Sequence, residues 1–140
     1  MTQLTPAMRE FLNKPRFAVV ATIRPDGLPH QTVMWFALQD DGTVLLNTPF
    51  DSLKHRHLKR DSHISVCVED GYRYLTMLGK VTINEDAGEA GADYAMLNRR
   101  YQETLPAFRR GDDAERPAYL DRARVSMRLE IESIVSNGID

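Results

Sequence analysis

The sequence predicts a mainly β protein with a few helices, in which six short antiparallel strands form a small barrel. Three observations support this fold class. Short apolar or alternating stretches recur along the chain, glycine-containing turn sequences separate several of them, and 140 residues are enough for one real core. Closing the sheet into a barrel removes exposed strand edges. We therefore expect a single domain over residues 1–140.

The N-terminal part is predicted to be a helix followed by three strands. Thr5 before Pro6 is typical of a helix start, and Met8, Phe11 and Leu12 form an apolar stripe on the helix that follows. Turn sequences then separate strands predicted at residues 17–23, 30–38 and 44–48. These strands are expected to pair as antiparallel neighbours.

The central stretch, residues 45–69, has the order strand, turn, basic helix, strand. Asp51 or Ser52 is suited to cap a helix over residues 53–60. The remaining elements are predicted as strands at 64–69, 72–83 and 125–135, a helix at 86–103 and a loop at 105–116.

Side-chain periodicity supports these later elements. Ile64, Val66 and Val68 share one face of their strand, and the last strand alternates in the same way. The helix at 86–103 carries Tyr94 and Tyr101 on one side. One face of each element is therefore expected to be buried.

Composition excludes several classes of protein. The 18 basic and 20 acidic residues give a net charge of −2, which argues against a general nucleic-acid binder. No apolar run is long enough to span a membrane, and the N-terminus lacks the apolar core of a signal peptide, so we expect a cytoplasmic protein. Cys67 is the only cysteine, which excludes an intrachain disulfide and favours a structural role in its strand.

The charge at the start of the central helix is unusual. Lys54 and Arg56 lie in its first turn, where the helix dipole disfavours cations. A phosphate would relieve this conflict, because the free N–H groups of the first turn, the hydroxyls of Thr48 and Ser52, and the Lys54 ammonium can converge on one anion. The alternative is a solvated basic helix with Asp51 as its only acidic cap.

Little else in the sequence indicates chemistry. No nucleophile with a neighbouring base and no pair of carboxylates stands out. His55 and His57 are two residues apart and point in different directions on a helix, and His30 and His63 have no matching partner, so no metal site is expected. A bound cofactor with its own reactivity remains, for which the protein supplies a phosphate anchor and a flat apolar wall.

Aromatic residues offer such a wall. Trp35 and Phe36 lie on the second strand, and Tyr72 and Tyr74 alternate onto one face of the fifth. Ordinary packing in the core or at an interface is the alternative role for these rings.

Three stretches together resemble a known family. They are FAVVATIRPDGLPHQTVMWF (17–36), LLNTPFDSLKHRHLKRDSHISVCVEDGYRY (45–74) and the closing strand. In this order they resemble the pyridoxamine 5′-phosphate oxidase-like split-barrel family, and within it the branch of coenzyme F420 (deazaflavin)-dependent oxidoreductases. The resemblance implies a six-stranded antiparallel split β-barrel with flanking helices, which pairs as a homodimer and binds FMN or F420 between its subunits.

The resemblance also assigns residues to the cofactor in three groups. Along the ring it places the strand Thr32, Val33, Met34 and Trp35. For the phosphate it implies Asn47, Thr48, Ser52 and Lys54. From the partner subunit it implies Tyr72 and Tyr74. It identifies no proton donor, and Tyr72, Tyr74 and solvent all remain open.

Three functional hypotheses follow. The first is hydride transfer between F420 and an unsaturated organic small molecule, and the second is an FMN-binding oxidoreductase of the same fold. The third is a non-catalytic module that carries a cofactor or binds an anion through Lys54, Arg56, Lys59 and Arg60. Loops such as 105–116 are expected to set the substrate. No nucleic-acid or membrane partner is expected.

Overall fold

The computed structural model describes residues 3–104 and 123–140. Three helices and one seven-stranded antiparallel sheet make up these residues. The helices are α1 (Pro6–Leu12), α2 (Leu53–Arg60) and α3 (Ala87–Thr104). The strands are β1 (Ala18–Ile23), β2 (Pro29–Met34), β3 (Ala37–Leu38), β4 (Val44–Pro49), β5 (His63–Asp70), β6 (Arg73–Asn84) and β7 (Arg124–Asn137). The predicted loop at 105–116 lies outside the described residues.

The sheet curls into a split barrel whose strand order is β2-β1-β5-β6-β7-β4-β3. All pairs are antiparallel. β2 and β3 are consecutive in the chain but lie at opposite ends of this order. The short segment between them therefore connects the two sides of the barrel.

The sheet has seven strands rather than the six that were predicted. The single strand predicted at 30–38 is broken at Trp35 and Phe36, which gives seven strands. The reason is a tertiary contact: the Tyr101 hydroxyl accepts a hydrogen bond from the Phe36 N–H (3.2 Å) and donates to the Arg16 carbonyl (2.5 Å). A side chain thus satisfies backbone groups that a neighbouring strand would otherwise pair.

The predicted face alternation is confirmed. Ile64, Val66 and Val68 are at most 4% exposed and point into the core, whereas Cys67 between them is only partly covered. In β7 the apolar residues from Val125 to Ile131 are buried in the same manner. The core therefore fills the inside of the curled sheet.

Gly79 allows the two longest strands to pair. The register between β6 and β7 shifts at Leu78 and Gly79, and a Cβ added at Gly79 would lie 2.0 Å from the Glu130 carbonyl oxygen. Such a distance is far inside van der Waals contact, so the backbones approach this closely only because the residue has no side chain.

The predicted caps of the first two helices are largely confirmed. Thr5 caps α1, with its hydroxyl accepting from the Met8 N–H at 3.1 Å. Ser52, rather than Asp51, caps α2, and its hydroxyl accepts from the His55 N–H at 3.2 Å. Among the helices of residues 3–104, none combines the length and apolarity needed to cross a membrane.

Candidate functional site

A cavity of about 340 Å³ lies where the N-terminal end of α2 meets β4, β7, α3 and the end of β2. Its volume is within the range of about 300–1,000 Å³ that is typical of small-molecule sites. It is lined by Phe17, Val33, Met34, Trp35, Asn47, Thr48, Pro49, Lys54, Tyr94, Leu97 and Arg124. Apolar rings form one side of the cavity and two cations the other.

The apolar side is built around Trp35. Its indole stacks with Tyr101 at 5.1 Å and 10° between ring planes, and with Tyr94 at 6.3 Å and 13°. Residues seven apart on a helix are separated by about 10 Å. The indole therefore lies between two rings of α3, which fix its plane. This arrangement gives the cavity a rigid, flat wall.

Lys54 and Arg124 form the cationic side. The Lys54 side chain is partly buried, and within the described residues its ammonium has no ion pair or hydrogen bond. Burial, followed by the nearby charge of Arg124, holds the pKa of Lys54 below its usual value. Two cations therefore face the same space, which favours the entry of an anion.

Arg124 is held in place by two neighbours. Its Nε donates to the Asn47 side-chain oxygen, and its guanidinium lies 3.9 Å from the centre of the Tyr94 ring. The first contact comes from β4 and the second from α3. A cation over an aromatic face is a favourable arrangement that also fixes the plane of the guanidinium.

The segment before α2 is fixed by His55. Asp51 has a positive φ of 62°, and its backbone N–H donates to His55 Nδ1 at 2.8 Å. The His55 Nε2 lies 2.8 Å from the Glu85 carboxylate, just before α3. Thr48 and Ser52 hydroxyls are 2.9 Å apart at the same turn. The side chain of Lys54 thus projects from a rigid first turn of α2 into the cavity.

The family model described as pyridoxamine 5′-phosphate oxidase matches residues 4–134. The chain belongs to this family. No protein of curated function matches the sequence.

Solved structures of the pyridoxamine 5′-phosphate oxidase fold agree with the assignment. An F420 reductase is 29% identical with a TM-score of 0.75, over 96% of this chain and 100% of that one. A conserved hypothetical protein of Mycobacterium tuberculosis, Rv2991, is 27% identical with a TM-score of 0.68, over 96% and 88%. A putative pyridoxamine 5′-phosphate oxidase of Listeria innocua, 18% identical over 91% and 92% with a TM-score of 0.61, shares the fold.

Within this family fold, the cavity brings together six of the residues that the sequence assigned to a cofactor. They are Val33, Met34, Trp35, Asn47, Thr48 and Lys54. Ser52 lies directly behind them, bonded to Thr48. Thr32 lies on the same strand but outside the lining, and its buried hydroxyl has no hydrogen-bond partner among the described residues.

Tyr72 and Tyr74 do not line the cavity of their own chain. Tyr72 is 91% exposed and lies in the turn before β6, so the expectation that it shares a strand face with Tyr74 is wrong. The structure of one chain leaves their predicted contact with a partner subunit as a prediction.

Sequence reasoning missed five lining residues: Phe17, Pro49, Tyr94, Leu97 and Arg124. The common side predicted for Tyr94 and Tyr101 on α3 gave a partial signal for the wall. Nothing in the sequence singled out Arg124, because it becomes relevant only when β7 pairs beside β4.

The other basic residues of α2 face away from the cavity and have partners. Arg56 pairs with Asp51 at 3.7 Å, Lys59 pairs with Glu85 at 3.1 Å, and Arg60 donates to the Ile23 carbonyl. The outer face of α2 is therefore partly neutralised by the protein itself.

His55 and His57 have separate structural partners. His57 is buried, and its Nδ1 lies 2.9 Å from the Thr22 hydroxyl, away from His55. No group of three or more potential metal-ligating side chains is found in residues 3–104 and 123–140.

Proposed function

We propose that this protein is an oxidoreductase that binds coenzyme F420 and transfers a hydride between it and an unsaturated organic molecule. The observation that carries the proposal is the likeness to an F420 reductase over 96% of this chain and 100% of that one, at 29% identity. The cavity supports it, because its apolar side suits the ring of a phosphorylated deazaflavin and its cationic side suits the phosphate.

The residues of the cavity fit such a group. The Trp35 wall and the strand Val33–Met34 are suited to bind and orient a flat ring, while Lys54 and Thr48 are suited to bind a phosphate. When bound, the deazaflavin supplies or accepts a hydride at its C5 carbon. The chain contributes orientation and a wall that excludes water from one face of the ring.

A homodimer is part of the proposal. Val33, Val19, Cys67, Thr76 and Val135 follow one another across paired strands on the outer face of the sheet. Val33 is 65% exposed and Val135 is 54% exposed, so this face presents an apolar row to solvent. Such a row is characteristic of a surface that a partner covers.

A second subunit on this face gives Tyr72 a role. In a dimer, Tyr72 and Tyr74 of one chain would reach the cofactor of the other. Sedimentation analysis tests the assembly: a dimer is expected for the wild type and a shift toward monomer for Val33→Lys. A monomeric wild type that still binds cofactor would exclude the contribution of the partner's tyrosines.

FMN is the second candidate cofactor. The observation that favours it is the cationic end of the cavity, since Lys54 and Thr48 suit any phosphate ester. The expected reaction class is then the same, with hydride transfer at N5 of the flavin.

A side-by-side titration separates these candidates. Trp35 is the only tryptophan and lines the cavity, so its fluorescence reports binding directly. Tight F420 binding with weak FMN binding supports the reductase proposal. The reverse result moves the protein to FMN, and quenching by neither would refute both.

A non-catalytic anion-binding module is less well supported. Three of its four proposed cations, Arg56, Lys59 and Arg60, already contact groups of the same chain. Salt-sensitive binding of any polyanion, with no preference for F420 or FMN, would favour it.

A further inference from the structure

We infer that Arg124 is the second cation that binds the phosphate of the cofactor, beside Lys54, and that Asn47 acts by positioning Arg124 rather than by touching the phosphate. This inference rests on the proposed function, since it concerns the same cavity. It changes the assignment of Asn47, which sequence resemblance placed on the phosphate.

The side-chain amide of Asn47 has all its hydrogen bonds within the protein. Its Nδ2 donates to the Ala90 carbonyl at 3.0 Å and to the Ser126 hydroxyl oxygen at 3.2 Å. Its Oδ1 accepts from Arg124 Nε. Both amide hydrogens are thus used inside the protein, and none is left to donate to a phosphate.

The orientation of this amide is determined by its neighbours. A rotated amide would bring its oxygen against the Ala90 carbonyl and its NH₂ against the Arg124 N–H, and both contacts repel. Asn47 is only 7% exposed, so it has little room to turn toward a ligand. Asn47 is therefore built into the protein as a support.

The support continues behind Asn47. The Ser126 hydroxyl donates to the Asp93 carboxylate at 2.7 Å, and Arg128 donates to the same carboxylate at 3.3 Å. This chain of contacts ties β4 and β7 to α3. The position of Arg124 is consequently set by three elements at once, which is the preorganisation that an anion site requires.

The second argument is electrostatic. Arg124 and Lys54 line one cavity, and the charge of Arg124 contributes to the lowered pKa of Lys54. Their mutual repulsion is relieved by a shared anion. A guanidinium offers a phosphate paired N–H donors in one plane, which an ammonium cannot, so the two cations are complementary.

The test measures the contribution of the phosphate with the FMN pair and of the phosphate-bearing tail with the F420 pair. Two pairs of ligands are compared: FMN with riboflavin, and F420 with the deazaflavin chromophore that ends at the ribityl hydroxyl. For each pair, the dissociation constant of the ligand without phosphate is divided by that of the phosphorylated ligand. This ratio reports recognition of the phosphate-bearing tail. Arg124→Gln is expected to reduce this ratio by about 10- to 100-fold, the scale of a charge-assisted hydrogen bond. The dissociation constant of the chromophore without phosphate should stay unchanged.

Asn47→Ala tests the positioning role. It should reduce the ratio in the wild-type background but have no further effect in Arg124→Gln, because its action passes through Arg124. Arg99→Gln is the matched control: Arg99 is exposed on α3 and lies outside the cavity lining, so the ratio should not change.

The outcomes separate the two proposals. If neither chromophore pair binds the wild type, both the proposed function and this inference are refuted. If the wild type prefers phosphorylated ligands and a folded Arg124→Gln keeps that ratio, only the role of Arg124 is refuted. An additive effect of Asn47→Ala in Arg124→Gln would refute the positioning role.

Discussion

The imidazole of His55 connects to the carboxylate of Glu85 through a contact of 2.8 Å between Nε2 and Oε2. Because Nδ1 accepts the Asp51 N–H, it carries no proton, and Nε2 is the donor to Glu85. Hydrogen bonds from His55 and then from Lys59 hold the pKa of Glu85 below its usual value. The turn that starts α2 is thereby anchored to Glu85, two residues before α3.

His55→Ala should lower the free energy of unfolding by about 1–3 kcal/mol, because it removes a buried side chain and both of its hydrogen bonds. It should also weaken binding of the phosphorylated cofactor, since the start of α2 is no longer held. Chemical denaturation and fluorescence titration measure the two effects. His63→Ala is the control: His63 is exposed and its contact with Asp61 is local. The free energy of unfolding and the cofactor affinity of this variant should therefore stay unchanged.

Lys54→Met is expected to separate stability from binding. The free energy of unfolding of the ligand-free protein should fall by no more than about 0.5 kcal/mol, because the variant removes a partly buried cation that faces Arg124. Cofactor binding should weaken by about 1–3 kcal/mol through the lost charge-assisted contact. Lys80→Met, on an exposed position of β6, serves as the control. Unchanged affinity in folded Lys54→Met would remove Lys54 from the phosphate site.

Stability should depend on pH through His57. Burial, followed by the charges of His30, Arg60, Arg56 and Arg24, lowers the pKa of His57 from its usual 6.5. The unfolded chain then binds a proton at a higher pH than the folded chain does. The stability that comes from neutral His57 is present above pH 6.5 and is lost as the pH falls below that value.

His57→Gln removes this titration while leaving a group that can bond to Thr22. The stability difference between wild type and variant should therefore shrink as the pH is lowered from about 8 to about 5. Urea unfolding at several pH values measures it. Parallel stability curves for the two proteins would show that His57 does not contribute.

Gly79→Ala should destabilise the protein by more than about 2 kcal/mol, because the added Cβ would lie 2.0 Å from the Glu130 carbonyl oxygen and force β6 and β7 apart. Gly91→Ala is the matched control. A Cβ at Gly91, within α3, meets nothing within 4 Å, so this variant should be neutral or more stable by up to about 1 kcal/mol. Thermal unfolding distinguishes the two.

Local patterns predicted most of the fold. The helix at 53–60 has the predicted bounds, and the buried face of β5 follows its alternating valines. These features depend on neighbours in sequence, which periodicity and capping describe. The break at Trp35 and Phe36 was not predictable, because it depends on the hydroxyl of Tyr101, 65 residues away.

The residues of the candidate site also fall into two groups, those that the local sequence predicts and those that it does not. Lys54 was predicted because its charge conflicts with the dipole of its own helix. Arg124 and the supporting role of Asn47 were not, because they arise from the pairing of β4 with β7 and from side chains of α3. Residues that act through distant partners leave no local signal.

The position of β7 in the sheet has a consequence for synthesis. β7, the last strand in sequence among the described residues, lies between β6 and β4, near the middle of the strand order. A growing chain therefore cannot join the β3–β4 hairpin to the rest of the sheet until β7 has left the ribosome. Until then, facing edges of β4 and β6 are both unpaired, and the chain is expected to need protection from association at those edges.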